Sequence, residues 1–214
     1  MSWDPRNGAP SSETDAPPTA DLADAVRVAG ATLLDALEDH RPGARDHSDA
    51  TASYGFAAAV ELGFERERAE AIRETARLHE VGMIYVPRAV LAAAPRERTP
   101  EGQSLIEAHP TYGAELARGA GVPEPACDWI RATAERFDGR GPAGLAGERV
   151  PLQARIIRVA CACDIALTAP HQAASTTEHR AAAFSSLRAA AGRELDPRVV
   201  GALTGMLERV ANAR

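Results

Sequence analysis

The sequence contains no lysine, only three cysteines and no long uninterrupted apolar run. With so few cysteines and no signal peptide at the start, we expect a reducing, cytoplasmic compartment and no disulfide scaffold. Arginine, aspartate or proline interrupts each apolar stretch early, so we expect no helix that crosses a membrane. The net charge of -6 argues against DNA or RNA as a partner, because nonspecific nucleic-acid binding needs a basic surface.

The composition changes near residue 20. Residues 1–20 are rich in proline, serine, threonine and aspartate and offer almost no apolar surface, which predicts a disordered N-terminal tail. The remaining residues, 21–214, belong to a chain with 45% hydrophobic content and show neither an internal repeat nor a second boundary. We therefore predict a single domain over 21–214 with its own core.

Apolar residues recur at helical spacing along most of this domain, and only Ile84-Tyr85-Val86 alternates as a strand would. Thr99-Pro100 and Asp196-Pro197 each combine a side-chain cap with proline at the first helical position. The sequence thus predicts an all-α fold. The expected helices cover about 21–39, 46–62, 65–79, 99–119 with an interruption at His109-Pro110, 125–137, 151–167 and 177–191, followed by one after Asp196-Pro197.

The most informative segment is LHEVGMIYVP at 78–87. Other motifs accompany it in a fixed order: HS at 47–48, HPTYG at 109–113, ERFDGRG at 135–141, GLAGERVPLQARII at 144–157 and LDP at 195–197. Over about 46–203 this ordered set resembles the HD-GYP family of metal-dependent HD phosphohydrolases. The resemblance implies an HD-domain helical bundle.

In the HD-GYP family, two or three iron or manganese ions activate a water that attacks a phosphodiester, typically that of cyclic di-GMP. The resemblance places His47, His79 and His109 at ligand positions, and Glu80 where the family has aspartate. The family's consecutive histidines are replaced here by Thr133-Ala134, and one aspartate is replaced by Cys161. We expect either no metal or at most one divalent ion, iron or manganese, at His47, His79, Glu80 and His109, with Cys161 as a soft additional ligand.

The positions that contact substrate are altered as well. Met83 stands at the family's lysine, and Pro142-Ala143 replaces the Tyr-Pro of the family name. Arg140 and Asp164 remain as candidate substrate-binding residues, and no catalytic residue is assigned.

Each of these residues also has a purely structural interpretation. The histidines are also typical of core or capping positions, and Glu80 of a buried acid paired with Arg77 or Arg155. For Cys161 and Cys163 we favour buried small hydrophobic residues, because their spacing is no zinc signature. Arg140 in its glycine-rich loop is also typical of a solvated arginine.

Three functional hypotheses follow. The first is a degenerate domain without cyclic di-GMP phosphodiesterase activity that acts in bacterial signalling as a binding, regulatory or dimerisation module, with a signalling protein as partner. The second is an active metal-dependent phosphohydrolase or phosphodiesterase with a reduced site. The third is a sensor that binds a cyclic dinucleotide without cleaving it. The resemblance leaves a homodimer open.

Overall fold

A computed structural model describes residues 19–169 and 176–213. Within them the chain forms ten α-helices, three short 3-10 helices and no β-strand, which confirms the predicted all-α class. None of these helices is long and apolar enough to cross a membrane. Residues 1–18, most of the predicted tail, lie outside the described part.

The helices are α1 (Thr19–His40), α2 (Ala44–Glu61), α3 (Arg66–Arg77), α4 (Arg88–Ala92), α5 (Pro100–Glu107), α6 (His109–Gly119), α7 (Glu124–Ala132), α8 (Leu152–Thr168), α9 (Thr176–Ala190) and α10 (Pro197–Asn212). The 3-10 helices are Val81–Tyr85, Pro95–Glu97 and Gly147–Arg149.

Helix α3 packs in the middle of the domain and contributes to two hydrophobic clusters. Ala71 packs with residues of α1, α6 and α7, whereas Ile72 and Ala76 pack with residues of α2, α8, α9 and α10. The alanine-rich faces let the helices approach closely, since a methyl group keeps the backbones near one another. Residues just after α3, including His79 and Glu80, are therefore held where the two clusters meet.

The predicted helix starts are confirmed. The Thr99 hydroxyl accepts a hydrogen bond from the Gly102 amide at the start of α5, and the Asp196 carboxylate accepts from the Arg198 amide at the start of α10. The interruption expected at His109 is also present, because α5 ends at Glu107 and α6 begins at His109.

Helix α7 is shorter than the sequence predicts. It ends at Ala132, so the helix expected over 125–137 is wrong from residue 133 onward. Glu135 is buried, and its carboxylate accepts hydrogen bonds from the amides of Ala143 and Leu145. The chain leaves the helix because Glu135 organises the glycine-rich loop that follows.

Candidate functional site

Three potential ligand side chains from separate parts of the fold meet at one place. His47 lies on α2, His79 follows α3, and Cys161 lies on α8. Their Nε2, Nδ1 or Sγ atoms all lie within 4.8 Å of one another, and no other such group of histidine, cysteine, aspartate or glutamate occurs among the described residues. The structure therefore brings together two of the predicted ligands and the cysteine treated as an addition.

Two of the candidate histidines are fixed by backbone carbonyls. Nδ1 of His79 lies 2.8 Å from the Ala76 carbonyl oxygen, and Nδ1 of His109 lies 2.6 Å from the Ile106 carbonyl oxygen. A carbonyl oxygen can only accept, so Nδ1 of each ring donates the proton. In the neutral ring this leaves the Nε2 lone pair available to bind a metal ion, an arrangement typical of metal-binding histidines.

The third histidine, His47, is held by a carboxylate. Its Nδ1 lies 2.6 Å from Oδ2 of the buried Asp164, and its Nε2 lies 3.7 Å from Sγ of Cys161. Asp164 is predicted above to contact substrate, but the structure places it behind His47 and outside the lining of the cavity described below. From there the Asp164 carboxylate accepts a hydrogen bond from Nδ1 and orients the His47 ring.

His79 carries the clearest sign of a missing partner. The residue is 3% exposed, and its Nε2 has no hydrogen-bond partner among the described residues. Burial lowers the pKa of His79 to about 4, so the ring is neutral at physiological pH. A buried polar atom without a partner is costly, and a divalent ion would satisfy it. The donor set His47, His79 and Cys161 therefore fits one metal ion.

Glu80 is a neighbour of this group and is already engaged. Its side chain is nearly buried, Oε2 lies 2.5 Å from Nη1 of Arg41, and the same oxygen lies 3.8 Å from Nε2 of His47. The interpretation of Glu80 as a buried, arginine-paired acid thus holds, with a different arginine from those predicted. The two predicted partners bind elsewhere: Arg77 with Asp49 and Arg155 with Asp196.

The two cysteines of α8 have different surroundings. Cys163 is fully buried in the second hydrophobic cluster, as predicted, whereas the half-buried Cys161 lines a cavity next to His47. Burial raises the pKa of each thiol to about 12. Both thiols are protonated in the metal-free protein, and only Cys161 lies where a bound ion would replace the thiol proton, which would pass to solvent.

The site opens into a cavity of about 620 Å³. His79, Glu80, His109 and Cys161 form its inner part, and the exposed Arg140 lies at its edge. His109 thus shares the cavity without joining the close group of three. The remaining lining residues are Ile106, Glu107, Pro110, Thr133, Ala134, Arg136, Gly141, Pro142 and Arg158.

Arg158, which is not among the site residues predicted from the sequence, gives this cavity a positive charge. It lies three residues before Cys161 on α8, so both side chains project from one face of the helix. Nη1 donates to the Thr133 carbonyl oxygen at 2.7 Å, and no carboxylate among the described residues forms an ion pair with the guanidinium. Burial lowers the pKa of Arg158, because the charge is partly withdrawn from water. An anionic ligand in the cavity would satisfy that charge.

The loop that carries Arg140 is ordered by its own carboxylates. The Arg136 guanidinium lies 2.8 Å from Asp138 and holds the pKa of that carboxyl at about 2. Asp138 also accepts a hydrogen bond from the Arg140 amide. Gly139 adopts φ of +79°, a conformation that favours glycine. Arg140 is thus exposed on a defined support.

Comparisons with known proteins agree with this geometry. The HD domain family model matches residues 31–199. The cyclic di-GMP phosphodiesterase response regulator RpfG of Xanthomonas campestris is 39% identical over 150 residues, which are 68% of this chain and 38% of RpfG. The 3'3'-cGAMP-specific phosphodiesterase 1 of Vibrio cholerae is 31% identical over 118 residues, covering 53% of this chain and 26% of that enzyme. The chain thus spans less than half of these curated relatives.

A solved structure shares the fold. Bd1817, an HDGYP protein from Bdellovibrio bacteriovorus, superposes with a TM-score of 0.64 at 17% sequence identity. The match covers 92% of this chain and 75% of Bd1817. At this identity the similarity concerns the arrangement of helices alone.

Proposed function

This chain belongs to the HD domain family, and from that membership we propose that it binds a phosphate-bearing ligand of the cyclic dinucleotide class without efficient hydrolysis. The resemblance to HD-GYP proteins is confirmed by the match to RpfG and by the fold shared with Bd1817. In this proposal residues 21–214 act as one domain in the cytoplasm. The domain acts as a regulatory or dimerisation module: its interaction with a partner signalling protein depends on whether the cavity holds a ligand.

The ion pair between Arg41 and Glu80 carries the proposal. Phosphodiester hydrolysis by metal clusters uses two ions a few ångströms apart, which stabilise the attacking and the leaving oxygen together. Here a guanidinium neutralises the Glu80 carboxylate, and Ala134 offers no ligand atom on the wall of the cavity. A second ion would need the Glu80 carboxylate as a free ligand, and Arg41 already supplies the positive charge that balances it. A guanidinium can bind a phosphate oxygen, but it does not generate a hydroxide nucleophile as a metal ion does.

One ion remains compatible with this site. His47, His79 and Cys161 would hold it, and a divalent ion bound there would act as a Lewis acid toward a phosphate oxygen. The two histidine rings are fixed in position even without the ion, because Asp164 orients His47 and the Ala76 carbonyl orients His79. The site is therefore preorganised to bind.

The cavity supplies the complementary charge for phosphate. Arg158 points a guanidinium without an ion-pair partner from the described residues into it, and Arg140 adds a second one at the edge. Guanidinium groups bind phosphate oxygens through short, charge-assisted hydrogen bonds. A volume of about 620 Å³ lies within the range of small-molecule sites. By their names, RpfG and the Vibrio enzyme act on cyclic dinucleotides, which supports this ligand class.

The test separates binding from turnover. Protein loaded with stoichiometric metal is titrated with cyclic di-GMP and with 3'3'-cGAMP in a calorimeter, and the same samples are analysed by chromatography for linear products. We expect heat of binding for at least one nucleotide and no product beyond that of a His79→Ala control. Turnover that requires His79 would overturn the proposal.

That opposing result would favour a second function, an active phosphohydrolase or phosphodiesterase with a reduced site. The unpartnered Nε2 of His79 is the observation in its favour, since an open ligand position is a feature of catalytic metal sites. In that case turnover is lost in His79→Ala and retained in Arg27→Ala, which alters a distant exposed ion pair on α1.

Replacing Arg158 with glutamine is expected to weaken nucleotide binding at least about tenfold, because the variant loses a charge-assisted phosphate contact. Glutamine is too short to keep the bond from Nη1 to the Thr133 carbonyl, but its amide nitrogen lies about where Nε of Arg158 donates to the Glu194 carbonyl oxygen. Calorimetry measures the affinity, and circular dichroism checks the fold. Arg27→Ala is the matched loss of one arginine and should leave the affinity unchanged. Equal affinities in Arg158→Gln and the parent protein would show that the phosphate binds elsewhere.

A further inference from the structure

We propose that the site formed by His47, His79 and Cys161 is selective for zinc over manganese and iron, because a thiolate stands where a carboxylate would favour the harder ions. The inference rests on the proposed function in one respect, since it takes these residues as a site for a single ion. The identity of the three donor atoms then makes zinc the ion that the site retains.

The distances suit a small tetrahedral ion. Sγ of Cys161 lies 3.7 Å from Nε2 of His47. Zinc bonds of about 2.3 Å to sulfur and about 2.0 Å to nitrogen place those two atoms roughly 3.5 Å apart in a tetrahedron. The ligand atoms of all three residues already lie within 4.8 Å of one another. Small side-chain adjustments are enough to close the site around zinc.

His79 provides an observation that is independent of the cysteine. Its side chain is nearly completely buried, its Nδ1 proton is held by the Ala76 carbonyl, and its Nε2 has no partner among the described residues. The second imidazole, His47, is oriented by the carboxylate of Asp164. Carboxylate-oriented histidines are a recurring outer-shell feature of zinc sites.

The chemistry of the donors decides the metal. Two neutral imidazoles and one thiolate form a soft set that suits zinc, whereas manganese and ferrous iron bind such sites more weakly. Binding replaces the thiol proton of Cys161 by a metal–sulfur bond and releases that proton to solvent, with no change of oxidation state. Three protein ligands leave a coordination position, and the cavity beside His79 and Cys161 lets a ligand oxygen reach it.

Cobalt(II) is the probe, because it adopts zinc geometries and reports a bound thiolate by its absorption. Chelator-treated protein is titrated with cobalt and then with zinc or manganese. We expect a near-ultraviolet thiolate-to-cobalt band that saturates at one equivalent, disappears on adding equimolar zinc and persists in a hundredfold excess of manganese. Cys161→Ser should lose the band and bind zinc at least tenfold more weakly. Cys163→Ser, two residues along the same helix and buried in the core, should keep it.

Three outcomes overturn the inference: no cobalt binding to the folded protein, cobalt binding without a thiolate band, or an unchanged band in Cys161→Ser. Circular dichroism establishes folding, and Cys161→Ala serves as a second variant if the serine form is unfolded. Assays of nucleotide turnover on the same samples separate this inference from the proposed function. Hydrolysis with the thiolate band intact removes only the proposed function. Absence of the band without hydrolysis removes only the zinc assignment.

Discussion

Replacing Gly82 with alanine is expected to lower the free energy of unfolding by about 3 kcal/mol or more. A Cβ atom at this position would lie 1.9 Å from the carbonyl oxygen of His109 and 2.5 Å from the amide nitrogen of Gly113. Both neighbours are backbone atoms, so no side-chain rotation relieves the overlap. The 3-10 helix after His79 and the start of α6 must move apart.

Chemical denaturation monitored by circular dichroism measures the effect, and Gly201→Ala is the matched control. Gly201 lies in α10 with no neighbouring atom within 4 Å of an added Cβ, so the substitution should stabilise the protein by about 0.5–1 kcal/mol. Because the same displacement moves the segment that begins just after His79, one of the three grouped ligands, Gly82→Ala should also bind metal more weakly. A Gly82→Ala protein as stable as the parent would mean that the contact between α6 and the 3-10 helix is absent in solution.

Features that depend on local sequence were predictable. The helical spacing of apolar residues predicts the helices, and the Thr99 and Asp196 caps act within a few residues of their own position. The ordered motifs also place His47 and His79 at one site, which the structure brings together. Helix periodicity, caps and motifs each lie within a short segment, so one sequence is enough to predict them.

The features that decide the chemistry depend on distant contacts. Arg41 precedes the proline and glycine that separate α1 from α2, and nothing in that segment indicates a partner 39 residues further along the chain. The end of α7 at Ala132 is equally hidden, because it follows from the hydrogen bonds of Glu135 to the loop. Arg158 was accessible in principle. Its spacing of three from Cys161 on a helix places both residues on one face.

Replacing Arg41 is the change that most directly alters the charge balance around Glu80. Arg41→Ala leaves the Glu80 carboxylate, which is 7% exposed, without its counter-charge. Breaking a fully buried pair costs about 3–5 kcal/mol, and because the Arg41 side chain is 39% exposed we expect a loss of about 2 kcal/mol in metal-free protein. Arg45→Ala, which breaks a pair with the 74% exposed Asp35, should cost under about 1 kcal/mol.

The pH dependence identifies Glu80 as the cause of that loss. Burial acts to raise the pKa of Glu80 in the parent protein, but His79, Arg41 and the other two site histidines outweigh it and the pKa is lowered. Because the pKa of His79 is about 4, that ring is neutral between about pH 5 and pH 7 and Arg41 is the permanent cation beside Glu80. Without Arg41, burial raises the pKa of the folded-state carboxyl above its unfolded value, so the folded variant binds a proton that the unfolded chain releases. The stability contributed by that proton is present at low pH and is lost as the pH rises. The deficit of Arg41→Ala should therefore shrink from pH 7 toward about pH 5.

Manganese then tests whether Arg41 occupies the role of a cation at this site. Once released, Glu80 can offer Oε2, which lies 3.8 Å from Nε2 of His47, as a hard ligand. Added manganese should raise the unfolding midpoint of Arg41→Ala clearly more than that of the parent protein, because an ion that binds only the folded state stabilises it by mass action. An equal response of the two proteins would mean that Arg41 is a structural partner of Glu80 alone. Arg45→Ala controls for the loss of one positive charge, since its manganese response should match that of the parent protein.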